Sequence, residues 1–489
     1  MPVPLFDAGA TGDSIYVNGK WRAAAAGATF VVTNPATGEP LATVADGGRD
    51  DAREAIDAAA AAFPQWSGRT AYERAECLHK AHQLMLERAD ELAQLMTLEQ
   101  GKPLRAARNE VRYAADFLSW YAEEAKRIYG STIPSARSDQ RFLVLRQPVG
   151  VVAAVTPWNY PVSMITRKVA PALAAGCTIV VKPAEQTPLC AMAVFRILED
   201  AGVPAGVVNL VTSADPATVG EELLNSAEVR KITFTGSTEV GKLIARSAAS
   251  TVKRVSLELG GHAPFIVFGD ADPVHAAKGA ALVKFLNTGQ ACISPNRIFV
   301  HRSIANEFLA ALVDRVGRLR AGNGLDDGVG IGPLIDESAM AKMRRQVADA
   351  VGRGATVLAG GERLTGEGYD GGYFFPATVL SEVTPQMEIY REETFGPIAA
   401  VLVFDDEDEV VAMANDTVYG LASYLYTRSM AVAMRVSEAL RFGIVGVNDI
   451  NPTSAAAPFG GVKESGLGRE GAAEGLAEYL DTKLVGISI

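Results

Sequence analysis

Cysteine is scarce in this chain. Its 489 residues hold four, Cys77, Cys177, Cys190 and Cys292, too few for a disulfide framework, and none stands in a Cys-x-x-Cys pair suited to zinc or redox work. The thiols are expected to be reduced. Cys77, His79 and His82 lie close together but inside an apparent helix, AYERAECLHKAHQLMLERA, with no fourth ligand nearby, so no metal site is expected. Basic charge is also short: 46 Lys and Arg stand against 57 Asp and Glu, a net charge of -11. That excludes the Lys/Arg excess by which nucleic acid or an anionic membrane is recognised. No apolar run approaches the roughly 18 residues of a membrane span. The opening MPVPLFDAGATGDSIYV has no basic segment and no continuous apolar core, so a cytoplasmic protein is expected. Internal repeats and low-complexity linkers are missing too. What remains is ordinary globular composition, 48% hydrophobic and 21% charged, in a chain long enough for two or three domains.

Along the chain, SIYVNGKW sets Asn18-Gly19 between strand-like flanks, a strong hairpin signal. From Asp51 to about Tyr129 the apolar period is helical, broken at Gly101 and Pro103. Pro134 and the alternating RFLVLRQPV then suggest an extended arm over 131–149 that leaves the body and pairs with another subunit. Next, continuous apolar strands alternate with amphipathic helices (GVVAAVTPW, CTIVVKPAE, VVNLVTS, VRKITFTG). This predicts a parallel sheet covered on both faces, with ligands at the strand carboxyl ends. A second alternating block runs from VSLELGG to about Asn451, and LAEYLDTKLVGISI closes the chain with a helical turn and a strand to partner the arm.

Several short stretches carry candidate chemistry. Cys292 sits in NTGQACISP, among small and turn-forming residues beyond an apolar helix, where substrate reaches sulfur. A buried structural thiol is the competing reading. Glu258 is a lone carboxylate in the apolar strand SLELGG, where desolvation raises an acid toward the range a general base needs. Asn159, in TPWNYP, either donates to an oxyanion or caps the following helix. Lys182 and Glu185, closing CTIVVKPAE, suit ribose hydroxyls or form a plain surface ion pair. Gly236-Ser237-Thr238-Glu239-Val240-Gly241-Lys242 copies the Walker A spacing between a strand and a helix, but Leu243 stands where a hydroxyl would hold magnesium. A helix N-terminus offered to a dinucleotide pyrophosphate survives that objection. Gly466-Leu467-Gly468-Arg469-Glu470-Gly471 matches the Rossmann glycine pattern outside a strand-to-helix setting and is read as a loop.

Seven segments, in order, resemble the aldehyde dehydrogenase superfamily over nearly the whole chain: PWN (157–159), VKPAEQTP (181–188), FTGSTEVG (234–241), LELGG (257–261), GQACISPNR (289–297), EETFGP (392–397) and PFGGVKESGLGRE (458–470). The resemblance implies an α/β fold of two parallel-sheet domains with a β oligomerisation arm. Residues 1–126 and 148–257 would bind NAD(P), 258–457 would form the catalytic domain, and 127–147 with 458–489 would form the arm and C-terminal segment. It further implies Cys292 as nucleophile, Glu258 as hydrolytic base, and Asn159 with the Cys292 N–H as oxyanion hole. Trp158, Lys182, Glu185, Gly236, Ser237, Glu393 and Phe395 would line the cofactor, NAD with NADP possible, since Glu185 suits a 2′-hydroxyl better than a 2′-phosphate. A homo-oligomer, dimer or tetramer, is implied as well.

Within the superfamily MITRKVAPALAAGC and WYAEEAKRIYG look most like succinate-semialdehyde dehydrogenases and related enzymes. Arg167 matches their carboxylate-binding arginine, and Thr453 and Ser454 fall on the substrate pocket. Leu286 replaces a second arginine and Ser294 a second cysteine, so one arm of the anion clamp and a disulfide switch are missing. His262 and Ile293-Ser294-Pro295 are similar to 2-oxoglutarate-semialdehyde enzymes. The expected reaction is oxidation of a small anionic aldehyde to the carboxylate, with glutarate semialdehyde and sulfolactaldehyde as further candidates. A CoA-acylating relative and a non-catalytic binding protein are the rival classes. The first needs no water-activating base like Glu258, and the second needs none of the three catalytic residues.

Overall fold

The hairpin signalled by Asn18-Gly19 starts the molecule. In the computed structural model, which describes residues 12–489, both take left-handed φ, 51° and 75°, and strands Ile15–Val17 and Lys20–Arg22 pair antiparallel around them. Residues 1–11, most of the stretch read for a targeting signal, lie outside the described part.

This hairpin edges an eight-stranded sheet. Its centre is five parallel strands, in spatial order Val208–Leu210, Thr178–Lys182, Val151–Val155, Val229–Thr235 and Arg254–Glu258. The far edge is the two-residue strand Gly466–Leu467, antiparallel to Arg254–Glu258. The purely parallel sheet expected from the apolar runs thus needs correction at both edges. An edge strand has a single neighbour, so a hairpin or returning loop supplies it without a crossover helix. The second sheet has seven strands in the order Thr356–Ala359, Thr378–Ser381, Ile398–Phe404, Pro295–His301, Ala263–Val267, Ala422–Tyr426 and Ile444–Val447, all parallel except the first. A third, three-stranded sheet pairs the C-terminal strand Leu480–Ser488 antiparallel with Gln140–Pro148, which also pairs with Ser131–Ile133.

Four consecutive helices, Arg49–Ser67, Ala71–Glu87, Ala89–Gln100 and Leu104–Ala125, form the helical layer. The second begins at a capping box in which Thr70 and Glu73 satisfy each other's backbone N–H. The third ends at Gly101, whose φ of 91° favours glycine. Pressed between the Leu104–Ala125 helix and the first sheet is the helix Ser163–Ala175, every residue of which is buried. It carries two cations, Arg167 and Lys168, into the interior. The hairpin Thr29–Thr33 with Pro40–Ala45 had no Asn-Gly signal, because its strands are joined through NPATGE. Among the described residues no helix is long and apolar enough to cross a membrane, and no three His, Cys, Asp or Glu side chains are grouped to hold a metal ion.

Candidate active site

Between the helix Pro273–Lys284 and the strand Pro295–His301 the chain reverses through Asn287, Thr288 and Gly289, all with left-handed φ (50°, 58° and 73°). For a β-branched residue such as Thr288 this is strained, and the surroundings must hold it. They do so with specific bonds. Thr288 Oγ1 accepts from Gly332 N at 3.0 Å, and the Gln290 side chain accepts from Ile335 N at 3.0 Å and donates to Pro333 O at 3.3 Å. A Cβ on Gly289 would lie 2.1 Å from Gly396 O, and one on Gly261 would lie 2.2 Å from Cys292 O, so both glycines permit close backbone contact. The loop leaves Cys292 half-buried. Burial pushes its thiol up to about 12, the Arg167 guanidinium pulls it down, and the charges of Glu393 and Glu258 add to the rise. At neutral pH the sulfur is therefore protonated and must shed a proton to act.

Beneath it lies a cluster of buried charge. Glu258 ends the strand Arg254–Glu258, where Gly236 N bonds its carbonyl at 3.0 Å. Its Oε2 is buried without a hydrogen-bond partner. Burial, and secondly the Glu470 charge, raise this carboxyl well above the ordinary carboxylate range. Glu470 goes the other way: burial would raise it, but the Lys168 ammonium and Arg167 guanidinium hold it below the usual value. Lys168 Nζ donates to Glu470 Oε1 at 2.5 Å and to Thr235 Oγ1 at 2.7 Å. Arg167 Nε lies 2.7 Å from Glu470 Oε2, off the hydrogen-bond axis, and its guanidinium stacks 4.0 Å over the Phe459 ring. Arg167 is 2% exposed, and its Nη2 is buried with no partner. Two acids in one pocket with opposed shifts are the pattern by which one carboxyl is reserved for proton transfer.

Asn159 is buried in the turn before the Ser163–Ala175 helix. It does not cap that helix. Its Nδ2 donates to Gln290 O at 3.0 Å, tying the amide to the thiol loop, and its own carbonyl accepts from Asn287 Nδ2 at 2.8 Å. One N–H of an amide is so engaged, leaving the second for another acceptor. Toward the substrate side, Thr453 is half-buried with Oγ1 3.2 Å from Asn451 Oδ1, while Ser454 is exposed. Leu286, 41% exposed, makes no charged contact.

The remaining predicted residues gather at the carboxyl edge of the first sheet. Lys182 ends its strand with a buried ammonium 3.2 Å from Glu185 Oε2. Ser237 caps the helix Thr238–Ala249, accepting from Val240 N at 3.3 Å, so the first N–H groups of that helix face outward. A Cβ on Gly236 would strike the Phe234 ring at 2.4 Å, and one on Gly241 would strike Leu259 at 2.3 Å. The helix start therefore sits directly on the strand, with no room for a side chain at Gly236 or Gly241. Glu393 Oε1 accepts from Gly261 N at 2.8 Å, and Trp158 and Phe395 meet edge-to-face with ring centroids 5.6 Å apart. Donors for a pyrophosphate, a carboxylate and an ammonium for riboses, and an aromatic wall together fit a dinucleotide.

Lys168, Glu470 and Lys284 carry no local signal in the sequence that marks them for the site. Glu470 stood inside the GLGRE segment, but nothing local marks a charge as buried. Lys284 is buried directly before the thiol loop, donates to Asn296 Oδ1 at 2.9 Å, and is pushed down to about 7 by burial.

Two mainly parallel sheets, a loop-borne thiol, an unpartnered buried acid and a helix N-terminus at a strand's carboxyl end define an α/β protein of the cofactor-using enzyme type. The model of the aldehyde dehydrogenase family matches residues 21–485. The glutarate-semialdehyde dehydrogenase of Pseudomonas putida is 50% identical over 474 residues, covering 97% of both chains. The NADP(+) succinate-semialdehyde dehydrogenase of Escherichia coli is 51% identical over 473 residues, again covering 97% of each. A crystal structure of an E. coli NADP-dependent enzyme superposes with a TM-score of 0.96 at 49% identity, covering 99% of both chains. The chain belongs to the aldehyde dehydrogenase family.

Proposed function

We propose that the protein oxidises a small aldehyde with an anionic far end to its carboxylate: aldehyde, NAD(P)+ and water give carboxylate, reduced cofactor and two protons. Bound NAD(P)+ supplies the hydride acceptor, held by Lys182, Glu185, Gly236, Ser237, Glu393, Trp158 and Phe395. Cys292, its thiol proton released to solvent, adds its sulfur to the carbonyl carbon. The oxyanion formed there takes hydrogen bonds from the free N–H of Asn159 and from the Cys292 backbone N–H. Loss of the hydride leaves a thioester on Cys292, and Glu258, once ionised, removes a proton from the water that cleaves it.

The observation that carries this reading is the buried Glu258 oxygen left without a partner beside a half-buried thiol. A structural acid would be paired. An acyl transfer to coenzyme A has no use for such a base, and a binding protein has none for the thiol. The anion preference rests on Arg167, whose Nη2 is unpartnered even though Glu470 occupies its other side. With Leu286 offering no second charge, the pocket favours one anionic group on chains of varied length. Succinate, glutarate and 2-oxoglutarate semialdehydes and 3-sulfolactaldehyde all qualify. NAD is the preferred cofactor because Glu185 opposes a 2′-phosphate. We further infer a cytoplasmic homo-oligomer, dimer or tetramer, assembled through the three-stranded arm. The test is absorbance of reduced cofactor with a panel of anionic and neutral aldehydes, with and without coenzyme A. Neutral aldehydes turned over as well as anionic ones would overturn the substrate reading, and an absolute need for coenzyme A would overturn the hydrolytic one.

A further inference from the structure

Lys102 and Glu110 form a second buried ion pair, with both side chains 1% exposed. Lys102 follows the left-handed Gly101 and sends its ammonium inward to Glu110 Oε2, to Asn159 O at 2.7 Å, and over the Tyr160 ring at 4.2 Å. Glu110, on the Leu104–Ala125 helix, uses its other oxygen to accept from Val162 N at 3.0 Å and Ser163 N at 3.1 Å. The pair therefore brackets residues 159–163. It holds a carbonyl at one end and the first N–H groups of the Ser163–Ala175 helix at the other.

We propose that the Lys102–Glu110 pair is a positioning device that fixes the backbone under Asn159, and so the amide that meets the oxyanion at Cys292. This rests on the oxyanion reading of Asn159 given above. The chain of contact is short. Lys102 Nζ and Asn287 Nδ2 converge on Asn159 O; Asn287 Nδ2 and Asn159 Nδ2 converge on Gln290 O, at 3.1 and 3.0 Å, two residues before the thiol. Lys102 thus reaches the reacting atoms only through Asn159. Stability alone does not account for the pair, since apolar replacements of buried ion pairs are often neutral or stabilising. A fixed oxyanion donor does account for it, because misplacement by about 1 Å costs on the order of a hundred-fold in rate.

The test compares Lys102→Met/Glu110→Gln, which leaves no lone buried charge, with Asn159→Ala and the triple combination, reading the first-turnover burst of reduced cofactor. The double variant should slow the burst roughly ten-fold or more with aldehyde KM within about two-fold, as when an interaction realised only in the transition state is lost. Added to Asn159→Ala it should slow the burst no further. A wild-type burst in the folded double variant, or a full additional loss in the Asn159→Ala background, overturns the proposal. An unaffected burst in Asn159→Ala alone instead overturns the reading of Asn159. Should the double variant not fold, Lys102→Gln/Glu110→Gln decides: it too leaves no lone buried charge, keeps an acceptor for Val162 and Ser163, and removes the ammonium that grips Asn159 O. The burst should then slow about three-fold, the scale of a weakened hydrogen bond, and an unchanged burst overturns the proposal.

Discussion

The side chains of Lys102 and Glu110 leave no buried polar atom without a hydrogen-bond partner, whereas those of Glu258, Glu470 and Arg167 leave four: Glu258 Oε2, Glu470 Oε2, Arg167 Nε and Arg167 Nη2. Both clusters are buried and both carry charges of each sign. A fully satisfied network specifies a shape and resists change, while an unsatisfied buried group costs free energy and persists where it is used. The first cluster holds the site's geometry. The second holds its proton and substrate chemistry. Substitutions that convert one plan into the other test the difference.

The largest effect is expected where neither cluster compensates. Cys292→Ala should cut turnover by roughly a million-fold, the scale of losing a covalent nucleophile, while thermal melting stays near that of the parent because the side chain is half-buried in a loop. Cys77, Cys177 and Cys190 lie on or beside the helices Ala71–Glu87 and Pro188–Asp200 and the strand Thr178–Lys182, away from this loop. Residual turnover above trace would remove Cys292 from the mechanism.

Glu258→Gln comes next, with steady-state turnover lowered about 10²- to 10⁴-fold, the range of general-base loss. A burst of reduced cofactor should survive, since thioester formation precedes the need for the base. The pH dependence follows from the sign of the shift. The base is the ionised form, and its carboxyl is raised by burial and then by Glu470, so hydrolysis should climb with pH and reach its plateau above the ordinary carboxylate range. Glu470→Gln removes that neighbouring charge and leaves Lys168 and Arg167 acting on Glu258, so the rising limb should move to lower pH. A limb that stays put or moves up would dissolve the coupling between the two acids.

Arg167→Ala should raise KM for anionic aldehydes roughly ten-fold or more, as for a lost charged hydrogen bond, while KM for neutral aldehydes of similar size changes little. The change also breaks a buried pair, so melting should fall by an amount set by how well Lys168 alone neutralises Glu470. It takes away the charge that lowers the Cys292 thiol, so alkylation of Cys292 at neutral pH should slow as well. Equal KM changes for both aldehyde classes would assign Arg167 to the fold alone.

These two clusters also mark where sequence reading stopped. The strands, helices and the Asn18-Gly19 turn follow from apolar period and turn chemistry, which are local. Cys292, Glu258 and Asn159 are legible in the sequence because each is odd among its neighbours. Glu470 and Glu110 are odd only in three dimensions: each sits in an ordinary polar stretch, and its buried partners lie far along the chain, 52 residues away at Val162 for Glu110 and 302 at Lys168 for Glu470. The direction of Arg167 was equally out of reach, since a helix buried on every side has no polar face to point a cation outward. The antiparallel edges of the first sheet escaped for the same reason, being set by which distant segment returns to an open edge.

The smallest effect is expected at the adenosine end, where charge is neither fully buried nor fully paired. Lys182 is buried, but its partner Glu185 keeps 36% of its side chain exposed, and the two meet at 3.2 Å. Removing Glu185 should therefore cost little stability, since pairs with an exposed partner contribute about 0–1 kcal/mol. Its effect falls on the choice of cofactor. Glu185→Ser removes the charged acceptor for a 2′-hydroxyl and the repulsion toward a 2′-phosphate, and frees the Lys182 ammonium to meet that phosphate. The ratio of kcat/KM for NADP over NAD should rise by roughly ten-fold, equivalent to one charged hydrogen bond gained or lost. The gain should shrink as pH rises, because burial lowers the Lys182 ammonium and Glu185 is the first group that opposes that fall. Without Glu185 the lysine loses its proton at lower pH than before, and with it its hold on the phosphate. A parent enzyme that already has the higher kcat/KM with NADP, or a Glu185→Ser variant whose ratio is unchanged, would take Glu185 out of the ribose pocket and leave it as a surface partner of Lys182.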